Sequence, residues 1–324
     1  MQTELEKSRA PQRARHHDFL HIILIITAFA IPVIASLSLY ALITGSVDSI
    51  VAFGLGFLTG TSWIPNPPNG GPPILGALPA IYGSVVTTTV ALLLAVPISL
   101  GIALFQSELA PRRLRLPSIF LVELLAAVPS VVYGLWGILF LVPFMSTYVD
   151  PHLLGPLGFI PIFSGQSNGL GMLTAGVILA VMIIPYSAAV MREVITAVPR
   201  SQREACIALG GTTWETMRMA VIPYASTGII AAIVLAMGRA IGETMAVTMV
   251  IGNVARITPS LFLPAETIPS VIANEFTEVA GNGIYLAALF ELALILFAIA
   301  FIMNLLGRLM ISRVTFHTKR HVHV

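Results

Sequence analysis

The sequence predicts an all-α integral membrane protein with about six transmembrane helices and both termini in the cytoplasm. Of the 324 residues, 56% are hydrophobic and only 10% are charged, whereas about a quarter of a soluble domain is charged. Several apolar stretches are long enough to cross a bilayer, and the basic residues collect on one side of them. With a net charge of only +2, this composition excludes soluble folds, disordered tails and nucleic-acid binding.

The predicted spans are the stretches of roughly 20 mostly apolar residues that a helix needs to cross a hydrocarbon core about 30 Å thick. In chain order they cover residues 22–43, 80–105, 118–143, 172–191, 225–251 and 284–307. A leader at 1–21 precedes the first span, and an outer loop at 44–79 follows it. Two further apolar pieces, 50–58 and 153–163, are too short to cross, so we expect them in surface or re-entrant segments.

The leader is basic and polar, with Lys7, Arg9, Arg13 and Arg15 before the first apolar stretch. A secretory signal has the same character, but its apolar run is only about 7–15 residues long and a small-residue cleavage site follows it. The apolar stretch here is longer, and no such site follows. We therefore expect it to stay attached as a membrane anchor, with the N-terminus inside.

The loop charges support this orientation, because Lys and Arg are retained on the cytoplasmic side of membranes. With the N-terminus inside, nearly all basic residues fall in inner segments. The outer loops then hold only Arg256, and Arg239 lies inside a span. The outer side is acidic, with Asp48, Asp150, Glu266, Glu275 and Glu278.

No motif in the sequence predicts a catalytic or metal site. Residues 165–169 match the G-x-S-x-G pattern, but they lie in a glycine-rich outer loop and every later His is on the opposite face. Cys206 is the single cysteine, which excludes an intrachain disulfide. The two lysines, Lys7 and Lys319, do not follow a glycine, so the chain has no P-loop. If transport is driven by ATP, ATP and Mg²⁺ must therefore bind to a separate chain.

The longest inner segment, residues 192–223, predicts two short helices. Ser201 and Glu204 have the spacing of a capping box, and Gly210 is a typical C-terminal stop. The second helix is predicted over 212–220, ending before Pro223. Together they present apolar side chains to the cytoplasm, namely Ala205, Ile207, Ala208, Leu209, Trp214 and Met217. This surface is either a docking site for a soluble partner or an amphipathic linker on the membrane surface.

The same segment resembles the EAA loop of ABC importer permeases, through Glu204-Ala205-Cys206, Gly210 and Ile222-Pro223. The sequence departs from that pattern at Cys206, where Ala is usual, at Ala220, where Ile is frequent, and at Ile222, which replaces Leu. The resemblance implies a type I ABC importer permease fold with a permease core at 80–311, a coupling loop at 197–223 and a cytoplasmic tail at 312–324. It also implies a coupling helix that sits in a groove of a dimeric ATP-binding subunit. The implied coupling residues are Glu204, Ala205, Cys206, Leu209, Gly210, Trp214 and Pro223.

The fifth span carries two charges, Arg239 and Glu243, which are four residues apart and are predicted to share a helix face. A charge near the bilayer centre costs at least about 2.5–3.5 kcal/mol, so such residues face protein or water. Two interpretations remain open: a structural ion pair, or a pathway in which Arg239 meets an anion and Glu243 positions or releases it. Arginine suits a tetrahedral oxyanion through its bidentate donors. Glu123 and Glu291 are further acids predicted to be buried and available to a polar network.

The substrate is implied by a second resemblance. Residues 238–247 (GRAIGETMAV), 129–137 (PSVVYGLWG) and 273–276 (ANEF) resemble the C-type permeases of bacterial phosphate-specific ABC transporters. The resemblance implies a phosphate importer in the bacterial cell membrane, with Arg239, Glu243 and Thr244 in the substrate pathway. Its implied partners are an A-type permease subunit, a dimeric ATPase that binds ATP and Mg²⁺, and an extracytoplasmic phosphate-binding protein.

Two alternatives remain at this point. One is the same machinery carrying another oxyanion such as molybdate or sulfate, since those permeases share the EAA loop. The other is a stand-alone secondary transporter or channel, in which Arg239, Glu243, Glu123 and Glu291 form an ion or proton relay. Inverted repeats would favour the second alternative, and the sequence has no convincing halves.

Overall fold

The computed structural model describes residues 10–165, 167–279 and 283–320, so residues 1–9 of the predicted leader and 321–324 of the predicted tail lie outside it. Within the described part, six helical runs are long and apolar enough to cross a membrane. They are Ile23–Phe53, Leu78–Leu109, Ser130–Leu153, Met172–Thr196, Thr213–Ile241 and Gly283–Leu309. The predicted number of spans therefore agrees with the structure.

The first helix, α1 (Ala10–Phe53), continues well past the predicted end of the span at residue 43. It ends where Gly54 adopts a left-handed backbone conformation, with φ +52°, because glycine enters this region without a steric penalty. Residues 44–53 are therefore helical rather than part of an outer loop. A short helix α2 (Gly56–Thr59) and an antiparallel hairpin of β1 (Trp63–Ile64) and β2 (Ile74–Leu75) complete this segment.

The second and fourth spans form the centre of the molecule. The second comprises α3 (Leu78–Leu104) and a π-helical turn at Phe105–Leu109. Small residues let its backbone approach the fourth span closely: a Cβ atom added to Gly176 would lie only 2.4 Å from the side chain of Val90. Much of the fourth span is consequently buried, and it provides a rigid wall for the neighbouring elements.

The third span begins later than predicted. Residues 112–126 form a separate helix, α4 (Arg112–Ala126), which has no buried residue. Pro129 then takes an extended conformation and starts α5 (Ser130–Trp136), because proline ends one helix and suits the first turn of the next. The span continues through a π-helical turn at Gly137–Leu141. The predicted span at 118–143 is thus wrong at its inner end.

The outer end of the third span contains further helical turns. α6 (Val142–Phe144) and a second π-helical turn (Met145–Val149) lead into α7 (Asp150–Leu157). A 3₁₀ turn at Pro161–Phe163 follows. The fourth span, α8 (Met172–Thr196), then returns across the membrane.

The inner segment contains α9 (Arg200–Ala208) and α10 (Thr213–Thr216). A π-helical turn at Met217–Val221 joins α10 directly to α11 (Ile222–Ile241), so the predicted helix end before Pro223 is wrong. Pro223 lies in the first turn of α11. Backbone N–H groups in a first turn have no intrahelical acceptor, so the absence of an N–H group in proline costs no hydrogen bond there. One helical run therefore connects α10 to the middle of the fifth span.

The fifth span is interrupted rather than continuous. α11 ends at Ile241, and a short helix, α12 (Met245–Thr248), follows after a break at 242–244. Beyond it the chain passes through a loop to α13 (Ile268–Glu275) and the last helix, α14 (Gly283–Arg320). The predicted span at 225–251 thus contains a helix break that its apolar sequence conceals.

Candidate functional site

The helix break at 242–244 separates Arg239 from Glu243. Gly242 closes α11, with its N–H group donating to the carbonyl oxygens of Ala240 and Gly238. The Glu243 carboxylate lies beyond the helix and accepts a hydrogen bond from the N–H of Ala246 at 3.3 Å. The prediction that Arg239 and Glu243 share a helix face is therefore wrong, and no ion pair joins them among the residues that the structure describes.

Arg239 contacts an aromatic ring instead of a carboxylate. Its guanidinium carbon lies 5.1 Å from the centre of the Tyr186 ring, on the neighbouring α8. Such a cation–π contact stabilises the cation and leaves its edge N–H groups available for another partner. In this single chain Arg239 is exposed, so the guanidinium is accessible from the surface that the chain presents beside α8.

Thr244 occupies the second half of the break. Its hydroxyl donates to the carbonyl oxygen of Gly242 at 3.4 Å, and its own carbonyl accepts from the hydroxyl of Thr248 at 2.7 Å. These bonds replace part of the helical hydrogen bonding that the break removes. Glu243 and Thr244 thus organise the start of α12 beside Arg239, and both remain partly accessible.

The two other acids lie elsewhere. The Glu123 carboxylate pairs with Arg192 at 3.1 Å, and 55% of the Glu123 side chain is exposed, so the prediction that it is buried is wrong. Glu291 is buried and accepts a hydrogen bond from the Ser49 hydroxyl at 2.5 Å, which links α14 to α1. Neither acid has a hydrogen bond or ion pair to Arg239 in the described part of the chain, and this argues against a relay through all four residues.

The segment 192–223 has a different helix cap from the predicted one. Pro199 precedes α9 and no side chain caps that helix, so the predicted capping role of Ser201 is wrong. The capping box lies one helix later: Thr212 accepts from the N–H of Glu215, and the Glu215 carboxylate accepts from the N–H of Thr212 at 2.7 Å. Gly210 has φ +87° and ends α9, as predicted.

The predicted coupling residues mostly form an exposed surface. Leu209 is 91% exposed and Trp214 is 62% exposed, so both large apolar side chains are accessible to a partner. Met217, which the sequence placed on the same apolar surface, is instead buried at the start of the π-helical turn. The remaining predicted coupling residues are exposed at Glu204, Ala205, Gly210 and Pro223, and partly buried at Cys206.

A salt bridge that the sequence analysis missed joins this surface to the second span. The guanidinium of Arg203 in α9 donates to both carboxylate oxygens of Glu108, with an N–O distance of 2.7 Å for the shorter contact. The same guanidinium donates to the carbonyl oxygens of Val198 and Ile195. Only 20% of the Arg203 and 14% of the Glu108 side chain is exposed. The two residues are 95 positions apart in the chain, so no spacing rule identifies the pair.

Comparisons with known proteins identify the family of the chain. The profile of the family described as "Binding-protein-dependent transport system inner membrane component" matches residues 95–315. The "Phosphate transport system permease protein PstC" of Mesorhizobium japonicum is 45% identical over 282 residues, which cover 86% of this chain and 84% of that protein. The protein of the same name from Pasteurella multocida is 43% identical over 316 residues, covering 95% and 97% of the two chains.

A solved structure has a similar fold. A chain from the inward facing MetNI methionine ABC transporter is 15% identical and superposes with a TM-score of 0.54. The match covers 72% of this chain and 94% of that one. At this level of identity the likeness concerns the fold alone.

Proposed function

The chain belongs to the family of binding-protein-dependent transport system inner membrane components, and from that premise we propose that it is the pore-forming permease subunit of an ATP-driven phosphate importer. It is a multi-pass membrane protein with the fold of ABC importer permeases, as the sequence predicts, and a transport component rather than an enzyme. Its relatives support a location in the bacterial cell membrane. The distribution of its basic residues supports a cytoplasmic location for both termini.

The observation that carries the proposal is the state of Arg239. Its charge lies in a spanning segment at a helix break, and no carboxylate pairs with it among the described residues. An unpaired charge is expensive in a membrane interior, so it is retained where it meets water or a partner of opposite sign. A phosphate passing the break at 242–244 supplies that partner, and the guanidinium binds it through two parallel N–H groups.

A permease of this family functions in a complex with other subunits. We assign three partners: an A-type permease, which completes the pathway beside Arg239; a dimeric ATP-binding subunit, which holds ATP and Mg²⁺; and an extracytoplasmic phosphate-binding protein. The exposed side chains of Leu209 and Trp214 support the second assignment. They can make two apolar contacts in a groove of the ATP-binding subunit, next to the charged side chain of Glu204.

The connectivity of the chain supports a mechanism for coupling. Closure of the ATPase dimer displaces α9 and α10. The run Thr213–Ile241 is helical from α10 to the break, so the displacement reaches Arg239 without crossing a loop. The Arg203–Glu108 pair transmits the same movement to the inner end of the second span. The two connected spans then tilt together, and the pathway alternates between its outer and inner openings.

The substrate is tested by competition. Cells that carry the whole complex should take up labelled phosphate, and unlabelled arsenate, which has the same shape and protonation, should compete with it. Sulfate and molybdate should not compete at similar concentrations. Competition by molybdate or sulfate as strong as that by phosphate would assign the chain to another oxyanion. Transport by the purified chain alone in liposomes, without ATP, would instead make it a stand-alone transporter.

The docking surface is tested at Gly210. Replacing Gly210 by valine forces a β-branched residue into a left-handed backbone conformation, which costs about 1–2 kcal/mol. The cost comes from the backbone alone, because a Cβ atom at this position would meet nothing within 4 Å. We expect less ATPase to copurify with the permease and uptake to fall. Gly101→Ala is the matched control, because Gly101 also has open space but lies in a regular helix. Normal copurification and normal uptake in Gly210→Val would refute the docking assignment.

A further inference from the structure

A polar cleft of about 200 Å³ opens beyond the break in the fifth span, between the outer loop and α13. Acids, amides and a hydroxyl dominate its lining, and none of its lining residues is basic. The lining residues are Asn253, Glu266, Ser270, Val271, Asn274, Glu275 and Glu278. In the orientation proposed above, this cleft faces the extracytoplasmic side.

Glu266 is the unusual group in the cleft. It is only 5% exposed, and its Oε1 atom has no hydrogen-bond partner in the described part of the chain. Burial, and secondarily the negative charge of Glu275, raise the pKa of the Glu266 carboxyl to about 8. A buried polar atom without a partner is destabilising. Glu266 therefore favours a ligand that brings hydrogen-bond donors and positive charge.

The neighbouring carboxylates are arranged differently. Glu275 is held in place by two donors: the indole N–H of Trp63 at 2.7 Å and the hydroxyl of Tyr285. Glu278 is exposed, at the rim of the cleft. The cleft thus has a buried carboxyl at its wall, a hydrogen-bonded carboxylate beside it and an exposed acid at its entrance.

The cleft is also connected to the helix break. The side-chain amide of Asn253 donates to the carbonyl oxygen of Thr248, the last residue of α12, at 2.8 Å. The N–H of Ala265, next to Glu266, donates to the carbonyl oxygen of Ile251 at 3.2 Å. These two hydrogen bonds join the lining of the cleft to the segment that follows Glu243 and Thr244.

We propose that this cleft receives a lysine or arginine side chain of the extracytoplasmic phosphate-binding protein when that protein docks. The inference rests on the proposed function. Charge complementarity selects this occupant: Glu275 and Glu278 repel phosphate, and a long cationic side chain supplies both the charge and the donors that Glu266 lacks. A metal ion fits less well, since no group of three potential ligands in the described residues has a suitable arrangement.

The test uses the complete transporter in nanodiscs and the phosphate-loaded binding protein, with association and dissociation measured separately. Glu266→Gln removes the ionisable group at nearly constant shape, and we expect dissociation to become at least about tenfold faster. Glu278→Gln, at the exposed rim, should mainly slow association and reduce its salt dependence. Asp48→Asn is the matched control, because Asp48 is an exposed acid of α1 and does not line the cleft.

The pH dependence provides a second readout. Docking of a cation requires Glu266 to release its proton, so affinity in the wild type should rise between about pH 7 and pH 9, and Glu266→Gln should lose that part of the rise. The other titratable groups at the cleft, Glu275, Glu278 and Tyr285, are unchanged in this variant and serve as an internal reference.

The outcomes separate this inference from the proposed function. Unchanged kinetics in both Glu266→Gln and Glu278→Gln, with normal binding to the wild type, would overturn the cleft as the docking site and leave the importer assignment intact. Stabilisation of the transporter by Na⁺ or Ca²⁺ that Glu266→Gln abolishes, with docking unaffected, would also overturn it, in favour of a small cation. Failure of the phosphate-binding protein to bind even the wild type would count against the proposed function itself.

Discussion

Replacing Arg239 by glutamine is expected to reduce phosphate uptake by at least about a hundredfold, while assembly of the complex and its basal ATPase activity stay intact. Glutamine keeps a polar side chain but loses the charge and the fork of N–H donors. Two charge-assisted hydrogen bonds at about 1.5–3 kcal/mol each account for a loss of this size. Uptake is measured with labelled phosphate in proteoliposomes that contain the complete transporter and its binding protein.

Two further variants distinguish a pathway role from a structural one. Arg239→Lys keeps the charge without the bidentate geometry, so we expect partial uptake. Arg256→Gln is the matched control, because Arg256 is an exposed arginine of the outer loop, away from the spans. If Arg239→Gln left uptake unaltered, Arg239 would be removed from the pathway. If it instead prevented assembly, the residue would be a structural element of the bundle.

Tyr186 determines how Arg239 is presented. Its ring is 5.1 Å from the guanidinium carbon, and nothing in the sequence near position 239 identifies it, because the two residues lie on different spans. The helix break beside them is equally hidden from sequence analysis. Gly242 lies within a stretch long enough and apolar enough overall to be read as one span, and glycine is common in membrane helices. In the structure Gly242 ends α11 through its N–H bonds to the carbonyl oxygens of Ala240 and Gly238.

The parts of the fold that sequence analysis predicted well are the continuous apolar runs. The fourth span was predicted at 172–191 and lies at Met172–Thr196 in the structure. The third span was misplaced because α4 is itself apolar enough to be read as its beginning. Pro129 gave a signal for the boundary, since a proline restricts the residue before it and starts a new helix easily. The capping error at Ser201 has a related origin, because Pro199 starts α9 two residues earlier.

Some residues of the candidate site were recognisable in the sequence, and others were not. Arg239, Leu209 and Trp214 were identified from residue type and position, because a charge in a span and a large apolar side chain in a loop are unusual locally. Glu108 and Arg203 are ordinary charges at the inner ends of helices. Their importance arises from a contact across 95 positions of sequence, which only the fold reveals.

The Arg203–Glu108 pair gives the second large expected effect. Arg203→Ala should abolish the coupling of ATP hydrolysis to uptake, so that phosphate moved per ATP falls sharply while the ATPase remains bound. Removing the arginine leaves the mostly buried Glu108 carboxylate unpaired, a change that typically costs about 3–5 kcal/mol for a buried ion pair. The inner end of the second span then no longer follows α9. The measurement compares uptake with ATP hydrolysis in the same proteoliposomes.

A double-mutant cycle isolates the contact from the general effect of a mutation in α9. Arg203→Ala and Glu108→Ala should each uncouple transport, and the double variant should be no worse than either single one, because the interaction is already lost. Arg200→Ala is the matched control, since Arg200 is an exposed arginine of the same helix. Strictly additive losses would show that the two side chains act independently. The physical reason to expect non-additivity is geometric: one guanidinium binds both oxygens of Glu108 and the carbonyls of Val198 and Ile195, so it fixes α9 to the ends of two spans at once.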